Sequence, residues 1–396
     1  MASNSKRLAG IDIIKILAAL FVIGIHSFYN TGYYSYSIPN DPIEIPAITM
    51  RWLSYTCVPL FMMCTGYLTK NKTLSKKYYL GLLPVLFVYL IASCICIIFQ
   101  SVHDHVTYTF PEIVKGMFMF TNAPYAWYVE YYLCIFLLIP FINMAWNGLR
   151  SRMHHLAFVL TVLCLTICSQ TFYAGDLYEF KVFPGYFLRV YPFAYHLIGC
   201  YFREYPPKKK LISKLLAVGM IAGGLLWLSL SSFRDSTQNI ANNYIFYSKH
   251  FNDYGSFPVC LTATGIFLLL FDIRISNRFV CGMLKTFGSA TLGCYLISYV
   301  FDQLFYDPYN IKYAFPDRLH YLTPVIFKIF ACSMLGGILI QFLYQGLVLG
   351  IRSINAISDE PEAAAKTPLP VPTSASAESQ TQTAEPEKTS EPSHDG

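Results

Sequence analysis

The sequence predicts an all-α protein that crosses a membrane about ten times, and three observations support this prediction. Hydrophobic residues make up 55% of the 396 residues and charged residues only 13%, about half the charged fraction of soluble domains. Apolar stretches long enough to span a bilayer as helices recur along the chain. Lys and Arg are concentrated in alternate loops between these stretches. This composition excludes a soluble globular enzyme, and a net charge of +6 distributed in this way does not indicate nucleic-acid binding.

Ten apolar segments, most of about twenty residues or more, are predicted to be membrane-spanning helices. In chain order they cover residues 10–29, 47–69, 78–100, 126–145, 154–173, 187–203, 211–231, 255–273, 285–306 and 323–351. The sixth segment is the weakest, because it is short and contains Arg189, Pro192 and His196. No internal repeat is visible, so the sequence does not favour a transporter built from inverted halves.

The basic residues predict the orientation of these helices. Up to residue 354, seventeen Lys and Arg lie in the loops and helix ends on the side of the N-terminus, whereas seven lie in the loops on the opposite side. Cytoplasmic loops carry the excess of basic residues in membrane proteins, and an even number of helices places both ends on one side. We therefore expect both termini in the cytoplasm and the protein in a cell membrane.

The composition changes near residue 355. From there to the C-terminus, Pro, Ser, Thr, Ala and Glu dominate and no aromatic residue occurs. Such a segment cannot bury enough apolar surface to become ordered. The sequence therefore predicts a transmembrane domain over residues 1–354 and a disordered cytoplasmic tail over residues 355–396.

The cysteines indicate neither a disulfide framework nor a metal site. Most of the twelve lie inside apolar segments, and no pair has the CxxC spacing or a histidine at a ligand-like distance. We interpret them as small apolar residues of the helices, and we expect no bound metal.

The first apolar segment contains three polar residues that are costly when they face lipid, namely Asp12, Lys15 and His26. Lys15 and His26 are eleven residues apart, so they share one helix face and lie about 16 Å apart along the helix axis. A cation and an imidazole on one stripe indicate a path through the protein. The alternative is that Lys15 reaches the cytoplasmic surface and His26 is a structural histidine.

With this topology, the polar residues at membrane depth form an outer and an inner group. The outer group offers an imidazole, carboxylates that can orient it, and cations that can stabilise an oxyanion. It consists of His26, Arg51, Glu130, Arg189 and Asp302, whereas the inner group consists of Asp12, Lys15, Lys76 and Lys77. We predict functional roles for His26 and Glu130, and interfacial ion pairs for Arg51 and Arg189.

Four motifs follow one another along the chain. They are Arg7 to His26 with Asp12 and Lys15 inside it, Pro59-Leu60-Phe61 to Gly66-Tyr67-Leu68, Trp127-Tyr128 with Pro140 downstream, and Gly288-Ser289 to Gly293-Cys294-Tyr295-Leu296-Ile297. In this order, and with ten predicted helices, they resemble the integral-membrane acyltransferase family 3 of bacterial O-acyltransferases. The resemblance covers residues 7 to about 351.

The resemblance implies transfer of an acyl group, usually acetyl, from cytoplasmic acyl-coenzyme A to a hydroxyl of an extracytoplasmic glycan or lipid-linked sugar. By this resemblance, acyl-coenzyme A is a co-substrate and no cofactor is permanently bound. The expected partners are membrane lipid and the glycan or glycolipid acceptor. His26 would be the catalytic residue, with Glu130 as our candidate to orient its ring. The donor side would comprise Lys15, Lys76, Lys77 and Asp12, and the acceptor side Arg51, Trp127, Arg189 and Asp302. The oligomeric state is left open.

Two positions depart from the family pattern. Members often have an Arg-x-x-Arg pair at the entry to the third helix, where this chain has Tyr78 and Gly81. Many members have a histidine after the Tyr-Leu-Ile run, where this chain has Ser298. Lys76 and Lys77 can meet the phosphates of the coenzyme, but as point charges without the bidentate fork of arginine.

Two other classes of function are compatible with the sequence. A transporter or flippase for a glycan or a small anion would use the same polar stripe as a conduit and would need no coenzyme A. A membrane scaffold would recruit partners through residues 355–396 and would tolerate the loss of His26.

Overall fold

The computed structural model describes residues 9–36, 42–168, 173–174, 177–178, 183, 185–241, 253–315 and 317–364, and these are almost entirely helical. The helices are α1 (Ala9–Asn30), α2 (Glu44–Ser54), α3 (Cys57–Thr69), α4 (Lys76–Leu80), α5 (Leu83–His103), α6 (Phe110–Phe118), α7 (Trp127–Gly148), α8 (Arg152–Leu163), α9 (Tyr191–Glu204), α10 (Lys210–Ala241), α11 (Phe257–Leu270), α12 (Arg278–Lys312), α13 (Asp317–His320) and α14 (Leu322–Ala364). A π-helical turn (Cys164–Cys168) follows α8, and a 3₁₀ turn (Gly185–Val190) precedes α9. Strands β1 (Tyr173–Ala174) and β2 (Leu177–Tyr178) pair antiparallel, Tyr173 with Tyr178 and Ala174 with Leu177. The all-α fold class is therefore confirmed.

Within the described part of the chain, six helical segments are long and apolar enough to cross a membrane. They are Ala9–Asn30, Lys76–His103, Trp127–Gly148, Lys210–Asp235, Arg278–Lys312 and Leu322–Ile351. Two shorter apolar segments, Arg152–Cys168 and Phe257–Leu270, fall where the fifth and eighth spans are predicted. Helices α2, α3 and α9 fall within or beside the second and sixth predicted spans. The protein is a multi-pass membrane protein.

The second predicted span is two helices and not one. A single helix over residues 47–69 is wrong, because α2 ends at Ser54 and α3 begins at Cys57. Pro59 explains the break. It has no N–H to donate to the carbonyl of Tyr55, and its ring would clash with that carbonyl in a continuous helix. Pro59 is instead the third residue of α3, where a missing N–H costs nothing.

The chain divides into two compact units, residues 1–346 and residues 347–396. The second unit is described only through the last part of α14, which ends at Ala364. The predicted tail thus begins inside a helix, and residues 365–396 of it lie outside the described residues.

Helix α1 lies at the centre of the first unit. In its apolar window 67% of the residues are buried, compared with 17–44% for the five other candidate spans. It packs against α12, α3 and α2, with Ile14, Ala18, Ala19 and Ile23 fully buried. The N–H of Gly10 donates a hydrogen bond to the carbonyl of Ile273 beyond α11, at 3.0 Å. The polar residues of α1 therefore face protein and not lipid, as their cost in hydrocarbon requires.

Candidate active site

Two cavities and a narrow neck lie along α1. The Lys15 cavity, of about 260 Å³, is lined by Lys15 together with Thr65, Tyr132, Ser289, Thr291 and Gln341 among others. The Tyr125 cavity, of about 570 Å³, is lined by His26, Asn30, Tyr34, Tyr55, Tyr125 and Tyr299 among others. Between them is the His26 neck, with a volume of about 10 Å³, which is about the space of one water molecule.

Shared side chains join the three spaces in a row. Phe61, Tyr128 and Tyr295 line both the Lys15 cavity and the neck. Ile25 and His26 line both the neck and the Tyr125 cavity. This order follows α1 from Lys15 to His26, so the stripe predicted from their spacing faces three adjoining spaces inside the protein.

His26 is half-buried, and its ring is positioned by an aromatic contact. The centroids of the His26 and Tyr125 rings are 3.6 Å apart, and the ring planes are tilted by 47°. The Nδ1 atom of His26 is buried and has no hydrogen-bond partner among the described residues. An imidazole held in this way can act as a general base or as a nucleophile.

Behind Tyr125 lies a buried carboxylate. The Tyr125 hydroxyl donates a hydrogen bond of 2.7 Å to Oδ2 of Asp302, which comes from α12 and is fully buried. Burial, and after it the Asp302 carboxylate, raises the pKa of the Tyr125 phenol well above its ordinary value. The phenol therefore stays protonated and remains a donor. The amide of Asn30 donates to the same phenol oxygen, at 3.4 Å.

Lys15 and Asp12 lie at the other end of the passage. The Lys15 side chain lines its cavity and is half-buried. Asp12 is buried behind the wall that Gly288 forms, since a Cβ at Gly288 would lie 2.8 Å from Oδ1 of Asp12. Of these two predicted donor-side residues, Lys15 therefore lines the cavity and Asp12 lies behind its wall.

Lys76 and Lys77 are exposed in the first turn of α4. Neither is among the residues that line the Lys15 cavity. Ser75 caps the helix by accepting a hydrogen bond from the N–H of Tyr78 at 3.2 Å. The two lysines are thus surface charges and do not line the Lys15 cavity.

Arg51 is buried behind the Tyr125 cavity, where it stabilises an aromatic wall. Its Nε donates to the hydroxyl of Tyr34 at 2.9 Å, and Nη2 donates to that of Tyr55 at 3.4 Å. Its guanidinium also lies 4.4 Å from the centre of the Trp52 ring. Both tyrosines line the cavity, so Arg51 is linked to the Tyr125 cavity through them.

Trp127, Glu130 and Arg189 have different positions although all three were predicted as site residues. Trp127 lines the neck and stacks on Tyr254, with centroids 5.7 Å apart. Glu130 is exposed and, in the part of the chain that the structure describes, makes no hydrogen bond to His26. Tyr125 and Asp302 are the groups behind the ring instead. Arg189 is exposed, and its carbonyl accepts a hydrogen bond of 3.0 Å from Tyr131.

The positions that depart from the family pattern have structural partners. Tyr78 is buried, donates a hydrogen bond of 2.6 Å to the carbonyl of Phe136, and stacks on its ring at 4.4 Å. The Ser298 hydroxyl donates to the carbonyl of Tyr295 at 2.8 Å, inside α12. Both side chains therefore fill their positions as parts of the helix packing.

Tyr125 and Tyr295 were not predicted as individual site residues. Tyr125 lies in the loop before α7, and its contact with Asp302 joins residues 177 positions apart. Only the Trp127-Tyr128 motif two residues later marks this region in the sequence. Among the described residues, no group of three His, Cys, Asp or Glu side chains is placed to hold a metal ion.

The membrane helices and the row of cavities along α1 define a multi-pass membrane protein with internal cavities. The chain matches the family model described as an acyltransferase domain over residues 8–342, well over half of its length. The protein belongs to this family, acyltransferase family 3, and the resemblance seen in its motifs is confirmed. No curated protein and no solved structure gives a significant match.

Proposed function

We propose that the protein is a transmembrane O-acyltransferase that moves an acyl group from cytoplasmic acyl-coenzyme A to a hydroxyl of an extracytoplasmic glycan or lipid-linked sugar. The observation that carries the proposal is the position of His26 in the narrow neck between two cavities. One cavity can receive a donor and the other an acceptor, so the two substrates meet only at the imidazole.

The proposed orientation places the Lys15 cavity toward the cytoplasm. It rests on ten spans, formed by the six long segments together with the shorter α2–α3, α8, α9 and α11 regions, with both termini inside. The excess of Lys and Arg in the loops on that side supports it. In this orientation Lys76 and Lys77 are on the cytoplasmic surface, where they attract the phosphates of coenzyme A before the thioester enters.

The Lys15 cavity suits the pantetheine arm of the coenzyme. That arm carries two amides and apolar carbons, and the cavity offers hydroxyls, an amide and an ammonium within a mostly apolar wall. The distance of about 16 Å from Lys15 to His26 along α1 is one that an extended pantetheine can span. The narrow neck favours a short acyl group, and we propose acetyl.

His26 would carry the transfer. In one route its neutral ring takes the proton of the acceptor hydroxyl as that oxygen attacks the thioester carbonyl. In the other it attacks the carbonyl itself and passes the acyl group on. Tyr125 fixes the ring in either route, because its own orientation is fixed by the hydrogen bond to buried Asp302.

The Tyr125 cavity is the proposed acceptor site. It is lined by five tyrosines, Tyr29, Tyr34, Tyr55, Tyr125 and Tyr299, with the amides of Asn30 and Gln303. Aromatic faces pack on the C–H faces of a sugar ring, and phenol and amide groups hydrogen-bond to its hydroxyls.

The test is acyl transfer in inside-out membrane vesicles supplied with radiolabelled acetyl-coenzyme A. We expect label in the extracted glycans or lipid-linked sugars with the wild-type protein, and a loss of at least 100-fold with His26→Ala. His154→Ala is the matched control, because His154 is exposed on α8 and away from the passage, so its activity should equal wild type.

Three results would contradict the proposal. Full activity of His26→Ala would remove His26 from the mechanism. Equal loss in His154→Ala would show that the assay reports protein damage. Absence of label with folded wild-type protein, together with movement of a glycan across the membrane without coenzyme A, would favour a transporter.

A further inference from the structure

Tyr295 has a buried hydroxyl group with no partner. The residue is 4% exposed, and its hydroxyl oxygen has no hydrogen bond among the described residues. The side chain lines both the Lys15 cavity and the His26 neck, at the place where the two spaces join. A phenol that is buried without a partner destabilises the fold, since water could have satisfied it in the unfolded chain.

The surrounding contacts hold Tyr295 in this position. Its ring packs edge-to-face on Tyr128, with centroids 6.2 Å apart and planes at 86°. One turn later, the Ser298 hydroxyl donates to the Tyr295 carbonyl, so the Ser298 hydroxyl is occupied within α12. The Tyr295 hydroxyl therefore is ordered, is available as a donor, and borders the space in which a thioester would lie.

We propose that the Tyr295 hydroxyl is a catalytic group that donates a hydrogen bond to the carbonyl oxygen of the acyl thioester in the neck. The inference rests on the proposed function and adds to it the group that stabilises negative charge. His26 and Tyr295 line the same neck, His26 toward the acceptor cavity and Tyr295 toward the donor cavity.

In direct transfer, one bond to the carbonyl carbon forms and one breaks. The acceptor oxygen bonds to the carbonyl carbon, its proton passes to His26, and the carbonyl π electrons move to the oxygen that Tyr295 faces. When this oxyanion collapses, the carbon–sulfur bond breaks and the sulfur takes the proton from His26. The products are the ester and coenzyme A thiol. Tyr295 keeps its proton throughout and strengthens its hydrogen bond as charge develops on the oxygen.

The first experiment measures binding, with no need for turnover. Purified full-length protein is titrated with acetyl-coenzyme A and with S-ethyl-coenzyme A, a thioether in which a methylene replaces the carbonyl. We expect the wild type to bind the thioester about fivefold more tightly, the effect of one neutral hydrogen bond. Tyr295→Phe should bind the two compounds equally.

The second experiment measures transfer with the same variant. Tyr295→Phe should lower kcat about 100-fold and change KM for acetyl-coenzyme A little, because the hydrogen bond matters most in the transition state. Tyr306→Phe is the matched control. It removes another buried and unpartnered hydroxyl from α12, but Tyr306 lines none of the three described spaces. Its kcat should equal wild type.

Each outcome decides the inference. Equal affinity of the wild type for the two compounds, or unchanged kcat in Tyr295→Phe, overturns it while the role of His26 stands. Equal loss of activity in Tyr306→Phe also overturns it, because hydroxyl removal from α12 would then be harmful at any position. Binding of neither compound by folded wild type overturns the proposed donor, and this inference with it.

Discussion

His26 takes its position from an aromatic ring and not from an ion pair. The Tyr125 ring lies 3.6 Å away, and the Tyr125 hydroxyl is in turn held by Asp302. Two properties of Tyr125 are therefore separable. Its ring sets where the imidazole lies, and its hydroxyl connects that ring to the carboxylate.

Substitutions at Tyr125 test this separation. Tyr125→Phe keeps the ring, so we expect a loss of no more than about tenfold in kcat. Tyr125→Ala leaves the imidazole unsupported, and a misplaced catalytic group costs on the order of 100-fold. The measurement is kcat for acetyl transfer at saturating donor. Equal losses in the two variants would show that the hydroxyl, and not the ring, is what matters.

Tyr125→Phe should also lower stability, because it leaves Asp302 buried without this donor. The expected cost is about 1–3 kcal/mol in the free energy of unfolding. Asp302→Asn in the same background is the control, because it removes the carboxyl group that has lost its donor. Recovery of the lost stability in the double variant would support this cause, and no recovery would exclude it.

For single residues, the sequence predicts how deep a residue lies in the membrane better than it predicts which way the side chain points. Lys15 and His26 share a face because eleven residues make almost three helical turns, and a single helix suffices for that inference. Glu130 and Asp302 were both expected near His26, yet Glu130 is exposed and Asp302 is fully buried. The rotation of α7 and α12 about their axes depends on packing against distant helices, and no local pattern encodes it.

At the scale of elements, α3 and α9 cross so closely that their backbones touch. A Cβ at Gly66 would overlap the backbone carbonyl of His196, and a Cβ at Gly199 would overlap that of Met63. Lys70 of the α3 end pairs with Glu204 of the α9 end and closes the contact. Small residues permit such crossings in membranes, where packing rather than hydrophobicity drives association. This crossing holds α3, and with it Phe61, at the wall of the passage.

Gly66→Ala should therefore destabilise the protein by about 1–3 kcal/mol, since a rigid backbone carbonyl has to move. Thermal unfolding in detergent is the measurement. Gly219→Ala is the matched control, because Gly219 lies in α10 with no atom within 4 Å of an added Cβ. That variant should be neutral or more stable by up to about 1 kcal/mol. Similar melting temperatures for the two variants would contradict the close crossing.

The sequence predicts the existence of most helices and misses their interruptions. The run over residues 47–69 is mostly apolar, with Arg51 as its one charged residue, and only Pro59 marks where it breaks. This break affects the Tyr125 cavity, because it places Tyr55 at the junction of α2 and α3. There Tyr55 lines the cavity and accepts a hydrogen bond from Arg51. Proline in a helix can produce a kink or a break, and packing decides which.

At the scale of the whole molecule, the distribution of basic residues is the basis for predicting which loops and termini face the cytoplasm. Seventeen Lys and Arg were counted on one side of the membrane and seven on the other. No described contact shows which of these sides is the cytoplasm. We expect a fluorescent protein fused after Gly396 to fluoresce, and alkaline phosphatase fused there to be inactive, since only a cytoplasmic terminus gives this pair of results. The opposite pair would invert the assignment of donor and acceptor cavities.

The neck of about 10 Å³ has a consequence for the membrane itself. A passage that joined two wet cavities openly would let protons and small ions leak down their gradients. Here Phe61, Trp127 and Tyr128 surround the constriction with aromatic carbon, which admits no hydrated ion. In the proposed reaction, an acyl group would therefore cross the protein at a constriction that excludes hydrated ions.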